Sequence, residues 1–86
     1  MRYQIYTENK DRDIIEALAV VQFDGFTIIE ATGFWQGDFE PSLIIEVISD
    51  APDAHAKMET LARDIKEANH QDAVLLTYSM VHIQMI

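Results

Sequence analysis

A chain of 86 residues forms one domain, and its lack of cysteine excludes disulfides and thiolate zinc sites. Its 15 acidic residues outnumber 6 basic ones, and the resulting net charge of −9 repels nucleic acid and anionic lipid, so we expect neither as a partner. A domain this small buries little surface, and without disulfides we expect homo-oligomerisation to supplement its stability.

The first two elements are a strand and a helix. Tyr3–Tyr6 predicts a short strand, and the polar segment 7–12 predicts a turn. Ile14, Leu18 and Val21 then recur at helical spacing, which predicts that they form the buried side of a helix. The helix should end at Gly25, a favourable C-terminal cap.

Two strands follow and should form a hairpin. The segment Phe26–Trp35 is rich in β-branched and aromatic residues, and Ser42–Ser49 is rich in β-branched residues. Between them, Gln36–Pro41 contains glycine and aspartate and predicts the turn.

The second helix has the clearest pattern in the chain. Asp50-Ala51-Pro52-Asp53 is a typical helix start. An apolar stripe follows at spacings of four and three: Ala54, Met58, Leu61, Ile65 and Ala68. On the outer side, ion pairs are expected at Asp53–Lys57 and Glu59–Arg63. Ala73–Ile86 should be extended.

This order, βαββαβ, predicts an α+β ferredoxin-like sandwich over residues 1–86. Its usual form is a four-stranded antiparallel sheet with both helices on one face. We expect a single domain with an extra extended segment at the C-terminus.

Residue parity predicts which strand side chains face the helices. The helix-facing set should be Ile5, Ile29, Ala31, Leu43, Ile45 and Val47. The other face should carry Arg2, Gln4, Tyr6, Ile28, Glu30, Thr32, Phe34, Ile44, Glu46 and Ile48. A face open to water should be mainly polar, so the apolar residues in this second set predict that another subunit covers it.

The last strand changes phase along its length. Its apolar residues are even-numbered up to Met80 and odd-numbered from Val81 onward. This change predicts a bulge near Ser79–Val81, after which Val81–Ile86 leaves the sheet and pairs with a neighbouring subunit. The alternative is a frayed or folded-back tail.

The chemistry-bearing residues are few. With a turn centred near Asp38, Glu30 and Glu46 would face each other, either as an acid–base or metal-binding pair or simply neutralised by Arg2 or by a basic group from another subunit. Trp35 beside a glycine turn could cover a pocket or serve as a packing anchor. The soft cluster Met80, His82 and Met85 could in principle suit Cu(I), but packing is the better interpretation, and we predict no metal and no cofactor.

The hairpin resembles that of CutA proteins, relatives of the PII signalling proteins with the same element order. The resemblance is carried by Trp35-x-Gly37, Glu40 and the apolar strand Leu43–Ile48, and Thr7 and His70 fit the same outline. It implies a tight homotrimer whose sheets face inward and whose C-terminal segments reach neighbouring subunits.

The chain also departs from this family. It lacks the cysteine of the second strand and the lysine that usually ends the third, so copper binding is not implied. The loop between these strands is too short for the nucleotide sensing of PII proteins.

These patterns favour a non-enzymatic, self-associating binding or regulatory protein of CutA/PII-like type, in which a trimer is favoured. Its small ligand would lie in clefts between subunits, lined by Glu30, Trp35, Gly37, Glu46 and His82. One alternative is an acidic interaction module or inhibitor that occupies a basic protein surface. A third is a small enzyme using the glutamate pair; otherwise no catalytic residue is predicted.

We expect the protein to be cytoplasmic. The N-terminus has no apolar signal-peptide core, and no apolar run approaches the length of a membrane span.

Overall fold

The computed structural model describes residues 1–86. Its elements, in chain order, are β1 (Arg2–Glu8), α1 (Arg12–Gln22), β2 (Thr27–Trp35), β3 (Asp38–Ile48), α2 (Ala54–Ala68) and β4 (Leu75–Ser79). The predicted order βαββαβ is therefore confirmed. Neither helix is long and apolar enough to cross a membrane.

The four strands form one sheet in the order β2-β3-β1-β4, and every neighbouring pair is antiparallel. Both helices contribute buried residues to a single core on one side of this sheet. This arrangement confirms the predicted ferredoxin-like α+β fold. We call the opposite side of the sheet the open face.

The core lies between the sheet and the helices. Its eleven buried residues are Tyr3, Ile5, Ile15, Ala19, Leu43, Ile45, Val47, Ala54, Met58, Leu61 and Ile65. The predicted stripe of α2 is confirmed except for Ala68, which is exposed. Both predicted ion pairs of α2 are also present, with nitrogen–oxygen distances of 3.2 Å for Lys57–Asp53 and 3.8 Å for Arg63–Glu59.

The buried side of α1 differs from the prediction. Ile15 and Ala19 are fully buried, whereas Ile14 is 38% exposed and Val21 is 78% exposed. Leu18 lies beside the core, as expected. The error arose because two apolar stripes lie one residue apart on this helix, so spacing alone did not distinguish them.

The β2–β3 hairpin has a tighter turn than predicted. The strands run to Trp35 and resume at Asp38, so the predicted turn over Gln36–Pro41 was wrong. Only Gln36 and Gly37 lie outside the ladder, with φ of 52° and 84°. Positive φ at both positions is typical of the two-residue turn that matches the twist of paired strands.

This turn reverses the predicted parity of β2. Ile28 pairs with Ile45 and packs against the core, while Ile29 pairs with Ile44 on the open face. The parity predicted for β1 and β3 is correct, because their odd-numbered residues Tyr3, Ile5, Thr7, Leu43, Ile45 and Val47 are buried.

The C-terminal segment leaves the sheet where the phase change predicted. Strand β4 ends at Ser79, and residues 80–86 form neither helix nor strand. The side chains of Met80, Met85 and Ile86 are almost fully exposed.

The first strand is longer than the predicted Tyr3–Tyr6 and spans seven residues.

Candidate functional site

An apolar row crosses the open face. The register places Leu75, Tyr6, Ile44 and Ile29 side by side on β4, β1, β3 and β2. Leu75 is 59% exposed, and the others are partly exposed. A row of large apolar side chains across a whole sheet face is what a protein partner would cover.

A polar row lies next to the apolar row and is centred on Glu46. Gln4 Nε2 donates to Glu46 Oε1 over 3.0 Å, and the hydroxyl of Tyr6 donates to Gln4 Oε1 over 3.2 Å. Arg2 Nε lies 4.0 Å from Glu46 Oε1. The Glu46 side chain is only 23% exposed, so its carboxyl group is held half-buried beside Gln4 and Arg2.

The two predicted glutamates do not meet. The register pairs Glu30 with Leu43 and Glu46 with Thr27, so the two carboxylates lie on opposite faces of the sheet. Glu30 instead accepts a 2.9 Å hydrogen bond from Arg12 Nη1 on α1. The expectation failed because it rested on a turn centred near Asp38, whereas the turn is Gln36–Gly37.

The other predicted cleft residues also lie apart. Trp35 is 69% exposed on the open-face side of the hairpin tip. Gly37 is explained by its backbone, since φ of +84° favours glycine whatever the ligand. His82 is exposed in the C-terminal segment.

Trp35 lines a cavity of about 260 Å³, which we call the hairpin pocket. Its lining residues are Glu8, Trp35, Glu40, Gln71, Asp72 and Ala73. A hydrogen bond with the Glu8 carboxyl raises the pKa of Glu40, and desolvation and repulsion from the Glu8 charge add to the rise.

The far wall of the hairpin pocket is fixed by a hydrogen-bonded loop. Gln71 Nε2 donates to Thr7 Oγ1 over 2.7 Å, and the backbone N–H of Glu8 donates to Gln71 Oε1 over 3.2 Å. Asn69 Nδ2 donates to the Lys10 carbonyl over 2.6 Å. Because Thr7 and Asn69 are buried, these bonds hold the α2–β4 loop firmly against the end of β1.

Sequence reasoning missed Glu8, Gln71 and Asp72. Glu8 and Gln71 are 63 positions apart, and only the folded chain brings them together. Glu8 and Glu40 were both expected in turns, so the observed lengths and pairing of β1 and β3 were needed to show that they are neighbours on one sheet face.

A second, larger groove of about 530 Å³ lies at the other end of the helices. It runs between the end of α1 and the start of α2 and includes Val20, Val21, Ile48 and Lys57. None of the predicted cleft residues lines it. No three His, Asp or Glu side chains lie close enough together to hold a metal ion.

The acidic residues are distributed over most of the elements and loops. They occur on both helices, on three strands and in the loops before α1, β2, α2 and β4.

Comparison with solved structures identifies proteins of the same shape. A phage SAM lyase in its apo state superposes with a TM-score of 0.70 and 17% identity, over 87% of this chain and 75% of that one. The CutA periplasmic divalent cation tolerance protein from Archaeoglobus fulgidus gives 0.54 and 14% identity, over 99% and 88%. The de novo designed protein Foldit4 also gives 0.54, with 13% identity and 94% coverage of both chains.

No family model matches the sequence, and no curated protein matches it. At identities this low, structural likeness establishes the fold. The hairpin motif, the strand order and the superposition agree, and the chain has a CutA-like ferredoxin-like fold.

Proposed function

We propose that this protein is a self-associating binding protein whose subunits pack through their open faces and hold a small ligand between them. The apolar row Leu75–Tyr6–Ile44–Ile29 carries this proposal. It places apolar side chains of all four strands on the face that the protein's own helices do not cover. Burying apolar surface yields roughly 25 cal/mol per Å², a useful supplement for so small a core.

The C-terminal segment supports the same proposal. Ile83, Met85 and Ile86 are exposed, and an extended segment with alternating apolar residues suits pairing with a sheet edge. The outer edges of β2 and β4 are both unpaired within the chain. Docking on a neighbouring subunit would bury these side chains and bring His82 towards the cleft.

Within one chain Trp35 and Glu46 lie at opposite ends of the β2–β3 hairpin, so the ligand would lie where the assembled open faces bring Trp35 of one subunit beside Glu46 of another. Glu46 offers a half-buried carboxylate and Trp35 an exposed aromatic ring. Glu30 would not line this cleft, because it lies on the side of the sheet that faces the helices and forms an ion pair with Arg12. Gly37 contributes by shaping the turn that positions Trp35.

Light scattering tests the assembly. We expect a mass that is a multiple of the 9.8 kDa chain, with three copies favoured. The variant Leu75→Glu places a charge in the apolar row and should yield folded monomers, whereas Val21→Glu on exposed α1 should leave the mass unchanged. A monomeric wild-type protein would rule the proposal out.

A ligand screen tests the binding part. Trp35 is the only tryptophan, so its fluorescence reports on the cleft without labelling. We expect a saturable change with at least one member of a panel of metabolites, nucleotides and metal ions. If no member of the panel changed the fluorescence of Trp35, the binding part of the proposal would be contradicted and only self-association would remain.

A second candidate is an enzyme that cleaves S-adenosylmethionine. It is favoured by the superposition on the phage SAM lyase together with the half-buried Glu46, whose charge suits a sulfonium cation. Chromatography with mass spectrometry should then show loss of S-adenosylmethionine with wild-type protein and much slower loss with Glu46→Gln. The control Glu67→Gln changes an exposed residue of α2 that takes part in no ion pair, and unchanged S-adenosylmethionine would exclude this candidate.

A further inference from the structure

The hairpin pocket has an unusual combination of lining groups. One wall is the exposed ring of Trp35, against which no other aromatic ring packs. Another is formed by the neighbouring carboxyl groups of Glu8 and Glu40, which lie on the same face of adjacent strands. Asp72 adds a third carboxyl group at the rim.

No cation of the protein balances these carboxyl groups. None of the seven ion pairs in the structure involves Glu8, Glu40 or Asp72. Lys10, the basic residue that follows β1, donates its Nζ to the Asn69 carbonyl instead. The pocket therefore has negative potential and an aromatic surface, with no positive group of its own.

An aromatic ring beside carboxylates is the chemistry that recognises organic cations. The ring face attracts the diffuse charge of an alkylated ammonium group, and the carboxylates add Coulomb attraction. The volume of about 260 Å³ is below the range usual for drug-sized ligands and suits a compact head group.

The walls of the hairpin pocket are organised before any ligand arrives. Gln71 is held by Thr7 Oγ1 on one side and by the Glu8 backbone on the other, which fixes the loop that carries Asp72. On the opposite side, the two-residue turn and the β2–β3 ladder fix Trp35 and Glu40. Preorganised walls reduce the entropy that binding must overcome.

We propose that the hairpin pocket binds a small alkylammonium cation, with its charge over the Trp35 ring and beside the carboxyl groups of Glu8 and Glu40. This goes beyond the proposed function, because the hairpin pocket lies within one subunit, whereas the proposed cleft lies between subunits. All the lining residues belong to one subunit, so binding can be measured independently of assembly.

The test compares choline with 3,3-dimethylbutanol, its neutral isostere, by Trp35 fluorescence and by calorimetry. We expect saturable choline binding and at least about tenfold weaker binding of the isostere. Glu8→Gln and Glu40→Gln should each weaken choline binding several-fold, and Trp35→Leu should do so by calorimetry. The control Glu67→Gln should bind choline as the wild type does.

Each other outcome overturns the proposal. Equal binding of choline and its isostere would show a merely apolar pocket, and Mg²⁺ binding without choline binding would show a metal site. If Glu40→Gln bound choline as tightly as the wild type does, the cation would not lie beside Glu40. Light scattering on the same samples separates the two proposals. A monomer that binds choline would contradict only self-association. An oligomer that does not bind choline would contradict only the cation site.

Discussion

The tip of the β2–β3 hairpin shows how a single backbone conformation positions a functional side chain. Gln36 and Gly37 both have positive φ, and this two-residue turn sets the pairing of Trp35 with Asp38. Every later pair follows from that register, including the separation of Glu30 from Glu46. The sequence marked the glycine and the tryptophan as important, but it did not reveal that Gln36 would share the left-handed conformation, since glutamine rarely adopts it.

Gly37→Ala should destabilise the protein by about 1–2 kcal/mol, because a Cβ is strained at φ of +84° although no atom lies within 4 Å of it. Urea unfolding measures the loss. Gly25→Ala is the matched control, since that glycine also has open space around it and no positive φ. Equal midpoints for the two variants would contradict the role of the turn.

Glu40 should make stability depend on pH. Its pKa is raised from 4.5, so the native state holds a proton that the unfolded state releases, and stability falls as pH rises through the raised value. Glu40→Gln cannot lose that proton and is relieved of repulsion from the Glu8 charge. Its urea midpoint relative to wild type should therefore increase from pH 4.5 to pH 7.

Glu67→Gln serves as the control, because this exposed residue is in no ion pair. A midpoint difference for Glu40→Gln that stays constant across the pH range would contradict the shared proton.

At the scale of the elements, the sequence predicted α2 well and α1 only in part. The stripe of α2 is a single run, and all but its last member are buried. In α1, apolar residues nearly encircle the helix, so only the packing against the sheet selected Ile15 and Ala19. Strand existence was similarly predictable from β-branched runs, whereas the parity of β2 depended on a turn that composition could not specify.

Substitutions on α1 test the observed face. Ile15→Ala should cost about 2–5 kcal/mol because it leaves a cavity in a fully buried site. Val21→Ala should change stability by no more than about 0.5 kcal/mol, since Val21 is 78% exposed. Chemical denaturation of both variants measures the two losses in stability. A larger loss for Val21→Ala than for Ile15→Ala would mean that α1 buries the face predicted from the sequence.

For the whole molecule, the fold and the location of a candidate site were predictable to different degrees. The βαββαβ order followed from local patterns. The hairpin pocket did not, because it joins the end of β1, the tip of the β2–β3 hairpin and the α2–β4 loop, three segments whose proximity depends on strand pairing. Only Trp35 was identified in advance.

Removing Val81–Ile86 tests the role of the C-terminal segment. These residues form no helix or strand within the chain, so the truncated protein should keep its circular dichroism spectrum. Its mass by light scattering should fall if the segment pairs with a neighbouring subunit. Replacing the segment with six residues of a Gly-Ser linker controls for chain length, and an unchanged oligomer after truncation would mean that the open face suffices.

The strand order also has a consequence for how the chain folds. Strand β1 lies inside the sheet between β3 and β4, and its partners Ile48 and Ser79 come far later in the sequence than Arg2. The β2–β3 hairpin closes through two residues and can form within microseconds. During synthesis, β1 therefore emerges first but must wait for that hairpin, and the slowest step should be the closure of the long loop that brings β4 to its edge.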